Sequence, residues 1–460
     1  MDLTTLIARQ RAFFKTGATR SLEFRRAQLV RLSETIEDQE QIILDALQVD
    51  LHKSTHDAYA SEIGLVLSEI RHAIRHLPTW MRTRRRGAPL MAWPSEGFIQ
   101  PEPYGVALII GPWNYPFQLL LSPLASAMAA GNCAVLKPSE FAPRTAAAIA
   151  QIIGAAFPAE YLSVVQGEHE TAEALLREKF DTIFFTGSTG VGRIVMSAAA
   201  RHLTPVTLEL GGKCPCLVCA DAPLEITARR IVWGKFMNAG QTCVAPDFLL
   251  VERSVGPALV EAMKKAARAF YGEDPQCSPD YGRIVNRRHF DRLLGYLGRG
   301  QIAHGGQHDA DACYLAPTIL TGVPGDAPVM REEIFGPILP VLDYDRFEDA
   351  LALLHDRPTP LALYLFTKDR ATQKRVLAAT RSGGVCLNDT VTHILGHGLP
   401  FGGLGESGLG AYHGEAGFDC FTHRRSVLRR SFAFDLKLRY PPARITLTTL
   451  KRIHRFMLGG

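Results

Sequence analysis

The sequence predicts an α/β protein of two successive α/β domains, the first built on a doubly wound parallel sheet. From residue 104 to 212, short apolar runs such as GVALII and DTIFFTG alternate with segments of helical periodicity. Continuous apolar runs are typical of parallel strands covered on both faces, and helical crossovers join the strands of a doubly wound sheet. A second alternation from residue 213 to about 410 indicates a second domain.

The elements follow in order along the chain. Up to Arg86, apolar and charged positions alternate at helical spacing. The run RTRRRG marks an exposed break, and a short extended piece covers residues 97–103. The predicted strands of the first domain are GVALII, NCAVLKP, LSVVQG, DTIFFTG and PVTLELGG, with helices between them. The second alternation includes CLVCADA, DFLLVER, VGPALVEAMKKAARAF, LAPTILTG, ILPVLDYD, FEDALALLH, LALYLFT and GGVCLND.

Composition excludes several classes of protein. The 460 residues are 47% hydrophobic and 21% charged, as in ordinary globular chains. Nine cysteines, an odd number at irregular spacing with no secretory segment before them, predict reduced thiols and a cytoplasmic location. The uncharged segment 106–136 contains glycine, proline and asparagine, which break a membrane-spanning helix. No pattern typical of nucleic-acid recognition is present.

The net charge of +5 is unevenly distributed. Residues 424–460 contain ten Lys/Arg and one Asp, so the rest of the chain is mildly acidic. Such a basic tail suits peripheral contact with anionic lipid or with acidic groups of a partner. The alternative is a solvated or subunit-packed extension.

Cys243 lies in the loop FMNAGQTCVAP, between a segment of helical pattern and the predicted strand DFLLVER. Free cysteines usually lie in protein cores. From these residues alone two interpretations are open. Either the loop packs inward and Cys243 is filler, or the thiol is presented to a substrate.

Three motifs follow predicted strands of the first domain. FFTGSTGVGRIV holds Gly187, Ser188 and Gly192 where a helix begins, which suits a pyrophosphate or is a tight strand–helix turn. In VLKPSE, Lys137 and Glu140 can hold ribose hydroxyls or form a surface ion pair. In GPWNYP, the Asn114 amide can stabilise an oxyanion or is a turn asparagine.

Glu209 lies within the apolar run TLELGGK. Burial of a carboxylate is costly and raises its pKa, which suits a general base near neutral pH. A structural role is equally compatible with the pattern. No metal site is expected at CPCLVC, because neither a second C-x-x-C nor a histidine pair accompanies it.

Two further motifs come later. REEIFGP places Glu333 and Phe335 before a Gly-Pro stop. LPFGGLGESGLGAYHG is rich in glycine but has no clear helix after it, so we interpret it as a closing loop.

The motifs GPWNYP, LKPSE, FTGSTGVG, LELGGK, GQTC, EEIFGP and LPFGGLGESG, in this order, resemble the aldehyde dehydrogenase superfamily from about residue 22 to 423. The details GQTCVAPD, LNDTVTH and GLGAYHGEAGFDCFTHRR are most similar to its class 3 branch, which acts on medium- and long-chain aliphatic and aromatic aldehydes.

The resemblance implies roles for matching positions. Cys243 would attack the aldehyde, Asn114 and the Cys243 N–H would hold the oxyanion, and Glu209 would activate first Cys243 and then water. We therefore expect a thiol whose pKa is lowered by its surroundings. The expected cofactor is NAD, with NADP as an alternative. It would be held by Lys137, Glu140, Gly187, Ser188, Gly192, Glu333 and Phe335.

The resemblance also implies a domain plan and a homodimer. Residues 1–86 and 104–210 would bind NAD(P), 211–415 would form the catalytic domain, 87–103 and 416–445 a small oligomerisation extension, and 446–460 a basic tail. Two other functions remain as alternatives: a cofactor-independent thiol esterase, and a non-catalytic protein that binds membranes through its tail.

Overall fold

A computed structural model describes residues 2–89, 92–435, 440–442 and 445–457. The chain begins with a helical layer, as its apolar periodicity predicts. Five helices, with one π-helical turn at Tyr59–Ile63, form this layer. They are α1 (Leu3–Lys15), α2 (Leu22–Asp38), α3 (Glu40–Leu51), α4 (Thr55–Ala58) and α5 (Gly64–Trp80).

A small antiparallel sheet of three strands is separate from the two larger sheets. Its strands are β1 (Arg84–Arg86), β2 (Ser95–Pro103) and β18 (Thr422–Arg430), with β2 in the centre. The run RTRRRG therefore includes a short edge strand and not only the break that we expected.

The first large sheet has six strands in the order β17-β7-β6-β3-β4-β5, and only β17 is antiparallel to its neighbour. Its strands are β3 (Val106–Ile110), β4 (Cys133–Lys137), β5 (Leu162–Val164), β6 (Thr182–Thr186), β7 (Val206–Glu209) and β17 (Gly408–Leu409). Its helices are α6 (Gln118–Ala130), α7 (Pro143–Ala156), α8 (His169–Arg177) and α9 (Thr189–Ala200). The chain order reverses between β3 and β6, which creates a crevice at their carboxyl ends.

The second large sheet has seven strands in the order β10-β13-β14-β9-β8-β15-β16, parallel except for β10. Its strands are β8 (Pro215–Val218), β9 (Phe248–Glu252), β10 (Gln301–His304), β13 (Thr318–Thr321), β14 (Ile338–Tyr344), β15 (Ala362–Phe366) and β16 (Gly384–Leu387). A separate hairpin pairs β11 (His308–Asp309) with β12 (Tyr314–Leu315). The helices are α10 (Leu224–Phe236), α11 (Gly256–Tyr271), α12 (Arg287–Leu297), α13 (Pro328–Arg331), α14 (Phe347–His355) and α15 (Arg370–Ala379).

Two helices complete the described chain, α16 (Gly414–Cys420) and α17 (Leu447–Met457). Because α16 directly follows the glycine-rich segment, the expectation that no clear helix comes after it is wrong. Within the described residues, no helix combines the length and apolar character that crossing a bilayer requires.

Two hydrophobic cores organise the molecule. One runs from Leu6 to Leu210 and is joined by Tyr412, Phe418 and Phe421, while the other runs from Cys214 to Val391. The predicted fold class, a doubly wound sheet with a second α/β unit and a small extension, is confirmed. The domain boundaries stay a prediction, and residues 90–91, 436–439, 443–444 and 458–460 of the proposed extension and tail lie outside the described residues.

Candidate active site

Cys243 lies in the loop between α10 and β9, at the amino-terminal edge of the second sheet. A 3₁₀ turn, Met237–Gly240, precedes it. Asn238 and Ala239 in this turn have a φ of 50°, which side chains other than glycine rarely adopt. The thiol is partly exposed and lines a cavity of about 710 Å³. Cys243 therefore borders open space, which a filler residue would not.

The buried Gln241 holds this loop in place. Its side-chain amide donates to the carbonyls of Asn238 at 3.1 Å and Arg283 at 2.9 Å, and its Oε1 accepts from the Val285 N–H at 3.0 Å. Three hydrogen bonds on one side chain fix the backbone two residues before the thiol. Sequence reasoning missed Gln241, although a glutamine in an otherwise small and apolar loop is a usable signal.

Asn114, in the loop after β3, is 3% exposed and joins the first sheet to the cysteine loop. Its Nδ2 donates to the Gln241 carbonyl at 3.0 Å, and its own carbonyl accepts from Asn238 Nδ2 at 2.8 Å. The neighbouring Tyr115 hydroxyl lies 2.7 Å from Thr242 Oγ1. Because an amide nitrogen has two hydrogens, the second N–H of Asn114 is available for another acceptor.

Glu209 is the last residue of β7 and is 2% exposed. Neither carboxylate oxygen has a hydrogen-bond partner among the described residues. Burial therefore raises the pKa of Glu209 well above its ordinary value. Gly408 of β17 pairs with Glu209 in the sheet, so the glycine-rich loop closes over this strand end.

The pKa of Cys243 is raised to about 12, first by burial and then by the neighbouring carboxyl groups of Glu333 and Glu209. The expectation of a lowered thiol pKa is therefore wrong for the structure without ligands. When they are ionised, the carboxyl groups of Glu333 and Glu209 place negative charge near the sulfur, so they oppose thiolate formation. The thiol proton must therefore be taken up by a base, or the charges around the sulfur must change before the proton leaves.

Lys137 and Glu140 lie at the carboxyl end of β4. Lys137 Nζ donates to Glu140 Oε2 at 2.9 Å, with the lysine side chain 3% exposed and the glutamate 30% exposed. Partial burial tends to raise the pKa of Glu140, but the hydrogen bond and charge of Lys137 outweigh this effect and lower that pKa. The pair is not the surface ion pair that we kept as an alternative, because the lysine is buried.

Ser188 begins α9, and its Oγ accepts from the Val191 N–H at 3.4 Å. Gly187 and Gly192 are required by packing: a Cβ would lie 2.5 Å from the Phe185 ring at Gly187 and 2.6 Å from Leu210 at Gly192. Only Gly190 in this turn faces open space within 4 Å. The first turn of α9 is exposed at Ser188, Gly190 and Val191.

Glu333 and Phe335 precede β14 at the same edge of the second sheet as Cys243. Burial and the nearby Asp247 raise the pKa of Glu333 to about 8. The Phe335 ring lies 5.3 Å from that of Trp113, beside the Asn114 loop. Asp247 accepts from the Ile334 N–H at 2.9 Å and pairs with Lys213, which sequence reasoning also missed.

The predicted residues converge on the crevice between the two sheets. Glu209, Gly187–Ser188, Asn114 and Lys137 lie at the carboxyl ends of four adjacent strands, in the order β7, β6, β3 and β4. Cys243, Glu333 and Phe335 approach them from the amino edge of the second sheet. This site can bring a thiol, a buried carboxyl group and an amide donor to one small substrate.

Comparison with known proteins identifies the family. The model of the aldehyde dehydrogenase family matches residues 1–427. The 4,4'-diaponeurosporen-aldehyde dehydrogenase of Staphylococcus aureus is 47% identical over 94% of this chain and 95% of its own length. The dimeric NADP-preferring aldehyde dehydrogenase of Canis lupus familiaris is 46% identical over 97% and 99%.

A solved structure of Staphylococcus aureus AldH in a substrate-bound state superposes with a TM-score of 0.96 at 45% identity, covering 98% of this chain and 99% of that one. The resemblance seen in the motifs is therefore confirmed over the whole length. The chain belongs to the aldehyde dehydrogenase family, and it oxidises aldehydes to acids with NAD or NADP.

Proposed function

We propose that Cys243 is the nucleophile of this reaction. The observation that carries the proposal is a partly exposed thiol on the wall of a 710 Å³ cavity, in a loop that Asn114 and Gln241 hold rigid. The sulfur would add to the aldehyde carbonyl and form a carbon–sulfur bond, while the thiol proton leaves to a base. The carbonyl oxygen becomes an oxyanion, which the free N–H of Asn114 and the Cys243 N–H would stabilise.

Glu209 would serve as the base. Burial raises its pKa, and a higher pKa makes the ionised carboxylate a stronger proton acceptor. It would take the thiol proton before attack, release that proton to solvent, and later take a proton from the water that hydrolyses the thioester. Its two free oxygens support this role, since a structural carboxylate would be satisfied by neighbours.

The residues of the first sheet fit a dinucleotide. Open space over Gly190 leaves the first N–H groups of α9 accessible to a pyrophosphate, and Lys137 with Glu140 presents a charged pair at the next-but-one strand end. Glu333 and Phe335 would border the nicotinamide end. When bound, the cofactor supplies the hydride acceptor that turns the thiohemiacetal into a thioester.

Medium- and long-chain aliphatic or aromatic aldehydes are the proposed substrates. The cavity that Cys243 lines is large, and much of its wall is apolar, with Leu65, Leu119, Trp233, Met237 and Phe401 among the lining residues. Burial of a hydrocarbon chain there would contribute about 0.8 kcal/mol per CH₂.

The test is cofactor reduction with hexanal, decanal and benzaldehyde, using NAD and NADP separately, for wild type and Cys243→Ser. Turnover by wild type that disappears in the variant supports the proposal. A cofactor-independent esterase would instead hydrolyse esters equally well without NAD(P) and reduce no cofactor. A non-catalytic protein would show neither activity.

We also propose a homodimer that forms through the antiparallel β1-β2-β18 sheet, which is separate from both large sheets. The curated dog relative is described as dimeric. Sedimentation equilibrium should give twice the chain mass of 50.6 kDa, and deletion of β18 should give a monomer. A wild-type monomer would contradict the proposal.

The basic tail carries a separate proposal, peripheral contact with an anionic membrane from a protein that otherwise stays in the cytoplasm. In α17, Leu450, Ile453 and Phe456 recur every three residues along one side, and Lys451, Arg452 and Arg455 lie on the other. This arrangement suits a surface-lying helix. Binding to phosphatidylserine vesicles should weaken when residues 444–460 are deleted, and unchanged binding would contradict it.

A further inference from the structure

A hydrogen-bonded series of three side chains lines the same cavity as Cys243 and has no part in the chemistry proposed above. Ser68 Oγ lies 3.0 Å from His397 Nε2, and His397 Nδ1 lies 2.8 Å from Glu69 Oε2. The other oxygen of Glu69 accepts from the Gly414 N–H at 2.8 Å. All three side chains border the cavity.

The series is rigid because both ends are held. The Glu69 side chain is 6% exposed and the His397 side chain 26%. The His72 ring stacks on His397 at 4.5 Å between centroids, and His76 stacks on His72 at 4.1 Å. A packed imidazole of this kind fixes the direction in which Ser68 can hydrogen-bond.

Ser68 differs from a second serine in the same wall. A helical serine commonly donates its hydroxyl hydrogen to the carbonyl four residues earlier. Ser61 does so, donating to the Asp57 carbonyl at 2.7 Å. Among the described residues, the recorded partner of Ser68 is His397 alone, so its oxygen retains hydrogen-bonding capacity towards the cavity.

The charge of the series indicates what can bind there. Burial tends to raise the pKa of Glu69, but the hydrogen bond and charge of His397 outweigh it, so the pKa of Glu69 is lowered. The hydrogen bond to Glu69 in turn raises the pKa of His397. Glu69 is therefore ionised near neutral pH and holds a negative charge at the cavity wall. An anionic ligand bound here would lose its water beside the Glu69 carboxylate. Without a free positive charge to compensate it, this desolvation is costly.

We propose that Ser68, oriented by His397 and Glu69, binds a hydroxyl group at the end of the aldehyde chain remote from the carbonyl. The enzyme would then prefer ω-hydroxyaldehydes over alkanals of the same length. A hydroxyl group suits Ser68 because it can both donate and accept, whichever partner donates in the Ser68–His397 bond. The inference rests on the proposed role of Cys243, since the carbonyl carbon must reach that sulfur while the chain extends to Ser68.

The experiment compares kcat/KM for alkanals and ω-hydroxyalkanals from butanal to dodecanal length, in wild type, Ser68→Ala and the matched control Ser61→Ala. We expect the hydroxyl derivative to be favoured about 3- to 10-fold at one or two adjacent chain lengths, as one hydrogen bond implies. The ratio of kcat/KM for the ω-hydroxyalkanal to kcat/KM for the alkanal of the same length should fall to about 1 in Ser68→Ala. It should stay at the wild-type value in Ser61→Ala. His397→Gln should weaken it, because Ser68 is then free to donate to its own helix.

Three outcomes would overturn the proposal: a hydroxyl advantage spread evenly over all lengths, an advantage that survives Ser68→Ala, or a peak for ω-carboxyaldehydes in place of ω-hydroxyaldehydes. The last result would indicate an anion site. Failure of the proposal for Cys243 looks different, because Cys243→Ser would then oxidise the aldehydes as wild type does.

Discussion

The side-chain amide of Asn114 donates to the carbonyl of Gln241 at 3.0 Å, and this bond joins the two sheets at the candidate nucleophile. Asn114 follows a strand of the first sheet, and Gln241 precedes Cys243 by two residues at the edge of the second. One N–H thus positions the cysteine loop, while the other would be available to the substrate oxygen. The same residue would serve in both positioning and catalysis.

Replacement of Asn114 by Ala should lower kcat by about 100- to 1,000-fold, the usual loss for one oxyanion donor. The effect should fall on kcat more than on KM, because the donor acts on charge that develops during the reaction. Steady-state kinetics with hexanal would measure it. A change in KM alone would mean that Asn114 only anchors the loop.

Alkylation of Cys243 by iodoacetamide should accelerate about tenfold per pH unit from pH 7 upward, since only the thiolate reacts and its pKa is raised to about 12. Glu333→Gln removes a carboxyl group that raises this thiol pKa when it is ionised, and because the pKa of Glu333 is about 8, the variant should be alkylated faster than wild type above about pH 8. The exposed Cys277 must first be replaced by Ser in both proteins. Peptide mass spectrometry would follow the reaction, and a plateau near pH 7 would contradict the raised pKa.

Glu209→Gln keeps the shape of the buried side chain but removes the base. We expect kcat to fall by about 100-fold or more, because the attack of Cys243 and the hydrolysis of the thioester both lose their base, and the acylated enzyme should accumulate where hydrolysis becomes the slower step. Intact-protein mass spectrometry after mixing with decanal and NAD should detect the mass of the acyl group. Wild type under the same conditions is the control. Normal kcat with no acyl adduct would show that another group activates the water.

Glu140→Gln should raise the kcat/KM for NADP relative to NAD, by about tenfold, because the carboxylate beside Lys137 would repel a 2′-phosphate. Since Lys137 lowers the pKa of Glu140, the carboxylate stays ionised near neutral pH, and the change should not vary there. Initial rates with both cofactors at two pH values would test this. An unchanged ratio of kcat/KM for NADP to that for NAD would mean that the 2′-phosphate of NADP does not lie beside Glu140.

The buried ion pair of Lys53 and Glu62 should contribute strongly to stability. Lys53 Nζ lies 2.6 Å from Glu62 Oε1, both side chains are fully buried, and Glu62 Oε2 accepts from the Phe117 N–H at 2.9 Å. Lys53→Met leaves an uncompensated buried carboxylate and should cost about 3–5 kcal/mol of the free energy of unfolding.

A matched control for that variant is Arg71→Met. It breaks an ion pair with Glu37 of nearly the same length, 2.7 Å, whose side chains are 62% and 47% exposed. Exposed pairs contribute about 0–1 kcal/mol, so this variant should unfold almost as wild type does. Denaturant-induced unfolding of the three proteins would measure their free energies of unfolding. Equal losses of this free energy in Lys53→Met and Arg71→Met would contradict the prediction.

Local pattern in the sequence determined most of the fold. Strands such as β3 and β6 are continuous apolar runs because both faces of a parallel sheet are covered, and the crossover helices show their own period. Candidate site residues such as Asn114, Lys137 and Ser188 could be found because turns and polar groups at strand ends leave a short-range signature.

Only the tertiary structure decided how these residues act together. Gln241 with Asn114, Tyr115 with Thr242, and Ser68 with His397 are contacts between residues 127 or more positions apart, which no local pattern encodes. The same holds for the thiol pKa. The sequence places Cys243 in a loop, but burial and the carboxyl groups of Glu333 and Glu209 raise its pKa, and those neighbours meet only when the two sheets pack together.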